Sequence, residues 1–205
     1  MINQWDERYN IPEYRYGETP NLFFKEMIDR LTPGKILLPA DGEGRNSVYA
    51  AQTGWSVDAF DQSSLAKEKA VRLGEKRGVA ISYKVMGFED MEKSYAADSY
   101  DVIALTYVHL PHLLREEYYK KLLPLLKKGG YIILEGFSKN HVKNQQQNPQ
   151  AGGPPDLNML YSKDEISRIF GVLDIQLLQE QEVELSEGAG HHGKAFVIRF
   201  VGKKL

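Results

Sequence analysis

The sequence contains 0 cysteines among its 205 residues. This absence excludes disulfide bonds, thiolate metal ligands and a cysteine nucleophile together. The chain also lacks any apolar run approaching the roughly 20 residues that cross a bilayer. Its first residues, MINQWDERYN, are polar and charged, unlike the apolar core of a signal peptide. These absences predict a soluble, cytoplasmic protein that does not bind membranes.

The chain also has no large excess of positive or negative charge. The chain has 26 Lys and Arg against 28 Asp and Glu, a formal net charge of −2. Such a balance gives no electrostatic footprint for nucleic acid. With 42% hydrophobic and 26% charged residues, the composition is typical of a globular protein. We therefore predict a single domain over residues 1–205, present as a monomer or homodimer.

Short apolar runs alternate with helical patterns from Lys35 onward. The runs KILLP, WSVDAFD, ISYKVM, SYDVIALTY and YIILEGF predict strands, and the helical patterns include GRNSVYAAQTG, SSLAKEKAVRLGEKRG and HLLREEYYKKLLPLLKKGG. This alternation favours a doubly wound α/β fold with helices on both faces of a mostly parallel sheet. After a last helix over YSKDEISRIF, two strands joined by SEGAGHHG predict an antiparallel hairpin at the sheet edge. The expected total is seven strands.

Two segments fall outside this alternation. Residues 1–31 are rich in aromatic side chains and end in a helix that Asn21 caps, so they predict a lid followed by a helix. Residues 139–156 are polar, rich in Pro, Gly, Asn and Gln, and without periodicity. Long loops of this kind are usually lids or binding segments, so we predict a long loop on the substrate side.

The stretch LLPADGEGRNS, Leu37 to Ser47, reads as a glycine-rich turn that opens a helix. It is not a phosphate-binding P-loop, because no Gly-Lys-Ser/Thr follows. It is a degraded dinucleotide motif, because Gly42 and Gly44 are followed by Ser47 where a third glycine belongs.

The charges of this loop distinguish between cofactors. A dinucleotide would bring an anionic pyrophosphate against Asp41 and Glu43, and two like charges about 4 Å apart cost roughly 4 kcal/mol at an effective dielectric of about 20. S-adenosylmethionine (SAM) has no phosphate and carries a sulfonium, an ammonium and one carboxylate. The loop therefore favours SAM over NAD(P), and an NAD(P)-dependent oxidoreductase is the less favoured alternative.

Asp61 supports an adenosine cofactor of either kind. It ends the strand VDAFD about 20 residues beyond the loop, where a carboxylate can accept hydrogen bonds from both ribose hydroxyls. The alternative role for Asp61 is to cap the helix that begins in DQSS.

The sequence resembles the class I SAM-dependent methyltransferases, and within them the tellurite-resistance and thiopurine-type enzymes of the small-molecule branch. The resemblance covers nearly the whole chain and depends on the order of WDERYN, YRYGETPN, LLPADGEGRNSVYAA, WSVDAFDQS, YDVIALTYVHLP, LLKKGGYIILEGF, GGPPD and EGAGHHGKAFVIRF. It implies in-line methyl transfer from SAM to a small molecule, leaving S-adenosylhomocysteine (SAH). A non-catalytic SAM- or SAH-binding sensor is the alternative, prompted by the departures below.

The resemblance also implies which residues hold the cofactor. Gly42 and Gly44 would let the backbone approach the methionine part of SAM. Asp61 and Gln62 would bind the ribose, and Phe88 and Glu89 would contact the adenine. The full implied set is Ala40, Asp41, Gly42, Gly44, Arg45, Asn46, Asp61, Gln62, Phe88, Glu89 and Thr106. This chain departs from the class at Leu38, where an acid is usual, at Ala40, usually glycine, and at Gly87, often aspartate. Asp41 or Glu43 could compensate for Leu38.

Three residues are candidates for catalysis at the acceptor. His109 follows the fourth strand and is the first candidate base, since the unperturbed pKa of histidine lies near neutrality; bonding to local backbone is its alternative role. Tyr107 would lie under the sulfonium and the incoming substrate. His191 lies with His192 in the final turn, and one of them could face the site. Neighbouring residues on a strand point to opposite faces, so we predict no metal site.

The lid is predicted from the aromatic N-terminal segment. Trp5, Tyr14 and Tyr16 could shield the sulfonium through cation–π contact, worth about 0.5–2 kcal/mol each; the alternative for Trp5 is packing on the sheet edge. Arg8 could bind a carboxylate of cofactor or substrate, and Pro154 in GGPPD would form another wall of the acceptor pocket.

Overall fold

The computed structural model describes residues 4–205, so the first three residues of the predicted lid lie outside it. The described chain forms one seven-stranded sheet with the order β3-β2-β1-β4-β5-β7-β6. Strands β1 to β5 pair in parallel, and β7 pairs antiparallel with both β5 and β6. This confirms the predicted fold class. The strands are β1 (Lys35–Pro39), β2 (Ser56–Asp61), β3 (Ser82–Val85), β4 (Tyr100–Thr106), β5 (Leu126–Phe137), β6 (Asp174–Glu187) and β7 (His191–Lys203).

Helices connect the parallel strands and cover both faces of the sheet. They are α1 (Gln4–Tyr9), α2 (Leu22–Ile28), α3 (Arg45–Gln52), α4 (Ser64–Arg77), α5 (Met91–Ser94), α6 (His112–Leu122), α7 (Val142–Gln147) and α8 (Lys163–Phe170). Helices α2, α4 and α8 start with a side-chain cap, in which a side-chain oxygen satisfies an amide that the helix leaves free. The capping side chains of Asn21, Ser63 and Ser162 accept from the amides of Phe24, Ala66 and Glu165.

Two apolar clusters lie on opposite faces of the sheet. One is built on helices α5, α6 and α8, and the other on α2, α3 and α4. Strand β1 supplies both, since successive side chains alternate between faces: Leu37 belongs to the first and Leu38 to the second. Leu38 is only 2% exposed. Position 38, one of the departures from the resemblance, is therefore a packing position here.

The helix predicted over HLLREEYYKKLLPLLKKGG is too long. Helix α6 ends at Leu122, a short 3-10 turn follows, and β5 begins at Leu126, which pairs with Tyr100 of β4. Pro124, which cannot donate a helical hydrogen bond, lies in that turn. Lys120 and Lys121 form ion pairs with Glu116 and Glu117, the acids one turn earlier in the helix.

The predicted long loop over residues 139–156 contains helix α7 and two 3-10 turns. Its sequence shows no apolar periodicity because side-chain hydrogen bonds to other elements, and not a buried apolar face, hold the segment in place. Asn144 and Asn148 donate to the backbone of β7 at Lys194 and His192. Besides Asn148, residues 152–156 form its irregular part.

Within residues 4–205, every helix is too short or too polar to cross a lipid bilayer.

Candidate functional site

A cavity of about 620 Å³ opens at the carboxyl ends of β1, β2 and β4. This edge is where open α/β sheets bind ligands, and the volume is typical of a small-molecule site. Most of the residues predicted for the site line it: Trp5, Arg8, Tyr16, Ala40, Asp41, Gly42, Arg45, Asn46, Asp61, Gln62, Phe88, Glu89, Thr106, Tyr107, His109, Pro154 and His191. Gly44 and Tyr14 are not part of the lining.

The loop after β1 runs through three left-handed residues, of which Ala40 and Gly42 line the cavity. Ala40 has φ +50° and Gly42 has φ +61°. A Cβ on Gly42 would lie 2.8 Å from the hydroxyl of Tyr9, so this position is restricted to glycine by space as well as by φ. At Ala40 the left-handed backbone carries a side chain, which costs about 1–2 kcal/mol. This explains why related loops place glycine there.

Asp41 is the unusual group of the loop. It lines the cavity, and both of its carboxylate oxygens are buried without a hydrogen-bond partner among the described residues. Burial raises its pKa to about 7 and outweighs the lowering effects of Ser47 and Arg45, because a buried charge is poorly solvated. A carboxylate in this state is suited to a cationic ligand.

Asp61 lies beside it with a different environment. Its Oδ2 accepts from the amide of Gly42 at 3.1 Å, and its Oδ1 accepts from the amide of Ser63 at 2.9 Å. Burial still raises its pKa to about 6. Ser63, not Asp61, caps helix α4. The carboxylate thus closes the turn after β2 while facing the cavity.

Glu43 lines the cavity too, but protein groups already engage its carboxylate. Its Oε1 accepts from Nζ of Lys69 at 2.7 Å, and its Oε2 accepts from the amide of Arg15 at 2.7 Å. Both partners of this ion pair are at most 5% exposed. The pair fastens the N-terminal segment to helix α4, so the loop's charge argument depends on Asp41 alone.

Gly44 was expected at the cofactor and instead lies under helix α4. It has φ +87° as the residue before α3, and a Cβ there would lie 2.5 Å from the Cβ of Ala70. Its role is close helix packing.

Arg45 and Asn46 line the cavity but are already engaged. Nη2 of Arg45 donates to Oε2 of Glu187 at 2.8 Å, and Nη1 donates to the carbonyl of Tyr16 at 3.3 Å. Oδ1 of Asn46 accepts from the amide of Asn21 at 2.9 Å. These side chains hold the N-terminal segment and the β6–β7 hairpin against the cavity.

The β3 side of the cavity has an aromatic floor. Phe88 packs on Tyr118, with ring centroids 5.5 Å apart, and edge-on against Phe60 at 5.3 Å. A Cβ at Gly87 would collide with the carboxylate of Glu89. The carboxylate of Glu89 therefore occupies the space that a side chain at position 87 would take.

The N-terminal segment covers one side of the cavity. Nη1 of Arg8 donates to the hydroxyl of Tyr16 at 3.3 Å, and its guanidinium lies 4.9 Å from the ring centre of Trp5. Tyr14 differs from the lid position predicted for it, because its hydroxyl donates to the carbonyl of Lys69 outside the cavity.

His109, the first candidate base, uses both ring nitrogens on backbone. Its Nδ1 lies 2.8 Å from the carbonyl of Met159, and its Nε2 accepts from the amide of Phe137 at 3.2 Å. Burial lowers its pKa to about 3. Without a free nitrogen it cannot take a substrate proton, and its backbone-bonding alternative describes the observed geometry.

Tyr107 presents its ring to the cavity, not an ionisable oxygen. Its hydroxyl donates to Oε1 of Glu135 at 3.1 Å, and burial raises its pKa well above the usual value. Its φ of +54° is a strained conformation for a residue with a side chain. The phenol stays protonated at neutral pH, so it is not a base.

His191 begins strand β7 instead of lying in the turn as predicted. Its Nδ1 lies 3.2 Å from Oε2 of Glu187, the residue opposite it in the hairpin register. Its ring packs against Tyr107 and Tyr16, with centroids 4.4 and 4.5 Å apart. Burial lowers its pKa, so the imidazole is neutral near pH 7. His192 is exposed on the other side of the strand.

Two acids of this region were missed from the sequence. Glu135 accepts from Asn21, Tyr107 and Arg199, and Glu187 accepts from Asn21, Arg45 and His191. Both are at most 7% exposed. The sequence does contain a signal for them: in IILEGF and VELSEG an acid lies at the end of an apolar strand pattern. An acid at a buried strand end needs hydrogen-bond or ion-pair partners.

Residues 36–130 match the family model described as "Methyltransferase domain". A curated relative named thiopurine S-methyltransferase, from Photobacterium profundum, is 27% identical over 76% of this chain and 74% of its own length. The family match covers the cavity loop and strands β2, β3 and β4.

Solved structures show the same fold. TehB from Haemophilus influenzae superposes with a TM-score of 0.72 at 18% identity, over 98% of this chain and 66% of that one. Magnesium protoporphyrin IX methyltransferase from Synechocystis PCC 6803, with bound SAH, gives a TM-score of 0.66 at 15% identity, over 88% and 78%.

Proposed function

We propose a small thiol with a largely apolar body as the methyl acceptor of this chain, which is a class I SAM-dependent methyltransferase. Bound SAM supplies an activated methyl group on a sulfonium, so the protein has to hold the acceptor in line, exclude water and receive a proton where the acceptor carries one.

The observation that carries the acceptor class is the composition of the cavity wall beyond Thr106. It is aromatic or apolar over most of its area, with the side chains of Tyr107, Leu110, Phe137, Pro154, Pro155 and Met159. The buried cation of the lining, Arg45, is paired with Glu187. A compact oxyanion would find no unpaired buried cation among the described lining residues, whereas an apolar thiol needs none. The name of the relative, a thiopurine S-methyltransferase, agrees with sulfur as the acceptor atom.

The residues present fit SAM at the other end of the cavity. The partnerless carboxylate of Asp41 would bind the cofactor's ammonium, and Gly42 would let the backbone approach the methionine part. Asp61 and Gln62 would hold the ribose. Phe88 would pack on the adenine, with the carboxylate of Glu89 above Gly87 as a polar partner. Of the predicted set, Gly44, Arg45 and Asn46 would support this site through packing and through the bonds described above.

The N-terminal segment would cover both ligands. Trp5 and Tyr16 would shield the sulfonium from water, and Arg8 at the mouth would meet a carboxylate. Pro154 would form the opposite wall. We further propose that residues 1–205 act as one cytoplasmic domain, as a monomer or homodimer and without nucleic acid, which the continuous sheet and the balanced charge support.

The test compares acceptors of one shape with different reacting atoms. Thiophenol, phenol and aniline, together with tellurite, are incubated with enzyme and SAM, and SAH and methylated product are measured by mass spectrometry. We expect thiophenol to exceed phenol and aniline by at least about tenfold in kcat/KM. Tellurite turning over faster than thiophenol would overturn the acceptor proposed here. The Asp61→Ala variant is the control for SAM-dependent turnover and should lose most of it through weaker cofactor binding.

A further inference from the structure

The β6–β7 hairpin places a glutamate and a histidine as a pair at the acceptor end of the cavity. Glu187 is the last residue of β6 and His191 the first of β7, and they face each other across the turn. Gly188 turns the chain with φ +62°, and a Cβ there would lie 2.6 Å from the carbonyl oxygen of Arg15. The turn is thus wedged against the N-terminal segment, which fixes the pair in space.

The contacts assign different roles to the two nitrogens of His191. A carboxylate can only accept, so Nδ1, 3.2 Å from Oε2 of Glu187, carries the hydrogen. The other nitrogen, Nε2, then has its lone pair free. It has no hydrogen-bond partner among the described residues, and His191 lines the cavity. The free lone pair is therefore at the wall where the acceptor is expected.

The opposite wall leaves room for this nitrogen. A Cβ on Gly152, which has φ +82°, would lie 2.6 Å from Cδ2 and 3.4 Å from Nε2 of His191. Any side chain at position 152 would cover the imidazole. The aromatic rings of Tyr16 and Tyr107 pack against the imidazole of His191.

The surroundings keep Glu187 charged and His191 neutral. Burial alone would raise the pKa of Glu187, but Arg45 and His191 outweigh it and bring that pKa to about 2. For His191, burial lowers the pKa more than Glu187 raises it. The titratable and charged groups around His191 are Glu187, Arg45, Tyr16, Tyr107, His109 and His141.

We propose that His191 accepts the proton of the acceptor thiol through Nε2, and that Glu187 is the positioning residue that fixes its tautomer; this rests on the proposed function. The S–H proton moves to Nε2 while the sulfur electron pair forms the new S–CH₃ bond. The old bond breaks with its pair remaining on the cofactor sulfur, so a neutral thioether and SAH result. The imidazolium then returns its proton to solvent.

The test uses the acidity of the thiol. His191→Asn keeps an amide near the Nδ1 position for Glu187 but removes Nε2. Ring-substituted thiophenols ionised at the assay pH need no base, whereas benzyl-type thiols, protonated at that pH, do. We expect kcat for the protonated thiols to fall about 100-fold or more, in the range of general-base catalysis, and that for the ionised thiols to fall less than about fivefold. His192→Asn, on the exposed side of the same strand, is the matched control and should behave as wild type.

The role of Glu187 has its own readout. In ¹⁵N NMR of the folded wild-type protein, His191 should be the Nδ1-protonated tautomer, and Glu187→Gln should shift the population toward Nε2 protonation. Wild type already in the Nε2-protonated form would overturn the proposal. So would an equal loss of kcat across the thiol series in His191→Asn. Wild type that methylates none of the thiols would instead remove the thiol acceptor itself, and with it this proton transfer.

Discussion

The two ends of the cavity handle charge in opposite ways. At the β1 end, formed by residues 40–46 and Asp61, Asp41 has a buried carboxylate without a described partner. At the hairpin end, formed by Tyr107, Glu135, Glu187 and His191, each acid accepts three hydrogen bonds.

The difference separates binding from positioning. A buried charge without partners costs stability that only a cationic ligand can restore. A buried acid with three partners is satisfied by the protein itself, and removing it strands those partners. The β1 end is thus built to gain from binding a ligand, and the hairpin end to hold its side chains in place.

The largest effect is expected from breaking the hairpin end. Glu135→Gln removes the charge that faces Arg199, whose Nε lies 2.5 Å from Oε2, and should lower the free energy of unfolding by about 3 kcal/mol. Urea unfolding monitored by circular dichroism measures it. Glu182→Gln, which breaks an exposed pair with Lys194, is the matched control and should leave stability unchanged. An unaltered midpoint for Glu135→Gln would mean that the network adds nothing to stability.

A somewhat smaller loss is expected at the β1 end, and in binding. Asp41→Asn should weaken SAH about 30- to 150-fold, the worth of about 2–3 kcal/mol for a charged hydrogen bond in a buried site. Titration calorimetry measures it. 5′-Methylthioadenosine, which has no ammonium, is the control ligand and should bind both forms alike. A parallel loss of affinity for both ligands would place Asp41 away from the ammonium.

The same variant should stabilise the free protein in a pH-dependent manner. Because the pKa of Asp41 is raised to about 7 in the fold, the folded state holds this proton more tightly than the unfolded chain. That stabilisation is lost as pH rises through 7. The advantage of Asp41→Asn should therefore begin near pH 4, the ordinary carboxyl pKa, grow by about 2 kcal/mol between pH 5 and pH 7, and level off above pH 7. A constant difference in denaturation midpoints across that range would contradict the raised pKa.

The smallest change tests the strain next to that carboxylate. Ala40→Gly removes the cost of a left-handed backbone with a side chain, which stabilises the fold by about 1–2 kcal/mol. It also gives the unfolded chain more conformational freedom, which destabilises the fold by about 0.4–1 kcal/mol. We expect a net stabilisation of up to about 1 kcal/mol in thermal unfolding, with SAH affinity within about twofold of wild type. Destabilisation by this change would show that the Ala40 methyl group contributes more by packing than its backbone costs.

The sequence was sufficient for the fold and for the position of the cavity. Strand and helix periods predict the doubly wound sheet, and the acid-containing loop after β1 with Asp61 after β2 predicts where a cofactor would lie. These features are local in sequence. The end of helix α6 was missed although Pro124 marks it locally. The start of β5 at Leu126 depends on pairing with Tyr100 of β4, a contact that local patterns do not contain.

The sequence could not predict which partner each charged or titratable side chain of the cavity would have. Glu43 and Asp41 are two residues apart in one loop, yet Lys69 neutralises the first and no described group neutralises the second. His109 and His191 line the same cavity, yet backbone groups occupy both nitrogens of His109. Each outcome depends on a residue from a distant element, so the residue type alone cannot distinguish a ligand group from a satisfied one.

The last strand of the chain is an interior strand of the sheet. Strand β7 is inserted between β5 and β6, and Asn21 reaches acids 114 and 166 residues further along. During synthesis on the ribosome, β5 is an open edge and the cavity lacks its hairpin wall until strand β7 emerges. A nascent chain at this stage exposes the strand edge that chaperones protect from aggregation. A premature stop within His191–Lys203 should therefore reduce the yield of folded protein far more than the number of lost residues suggests.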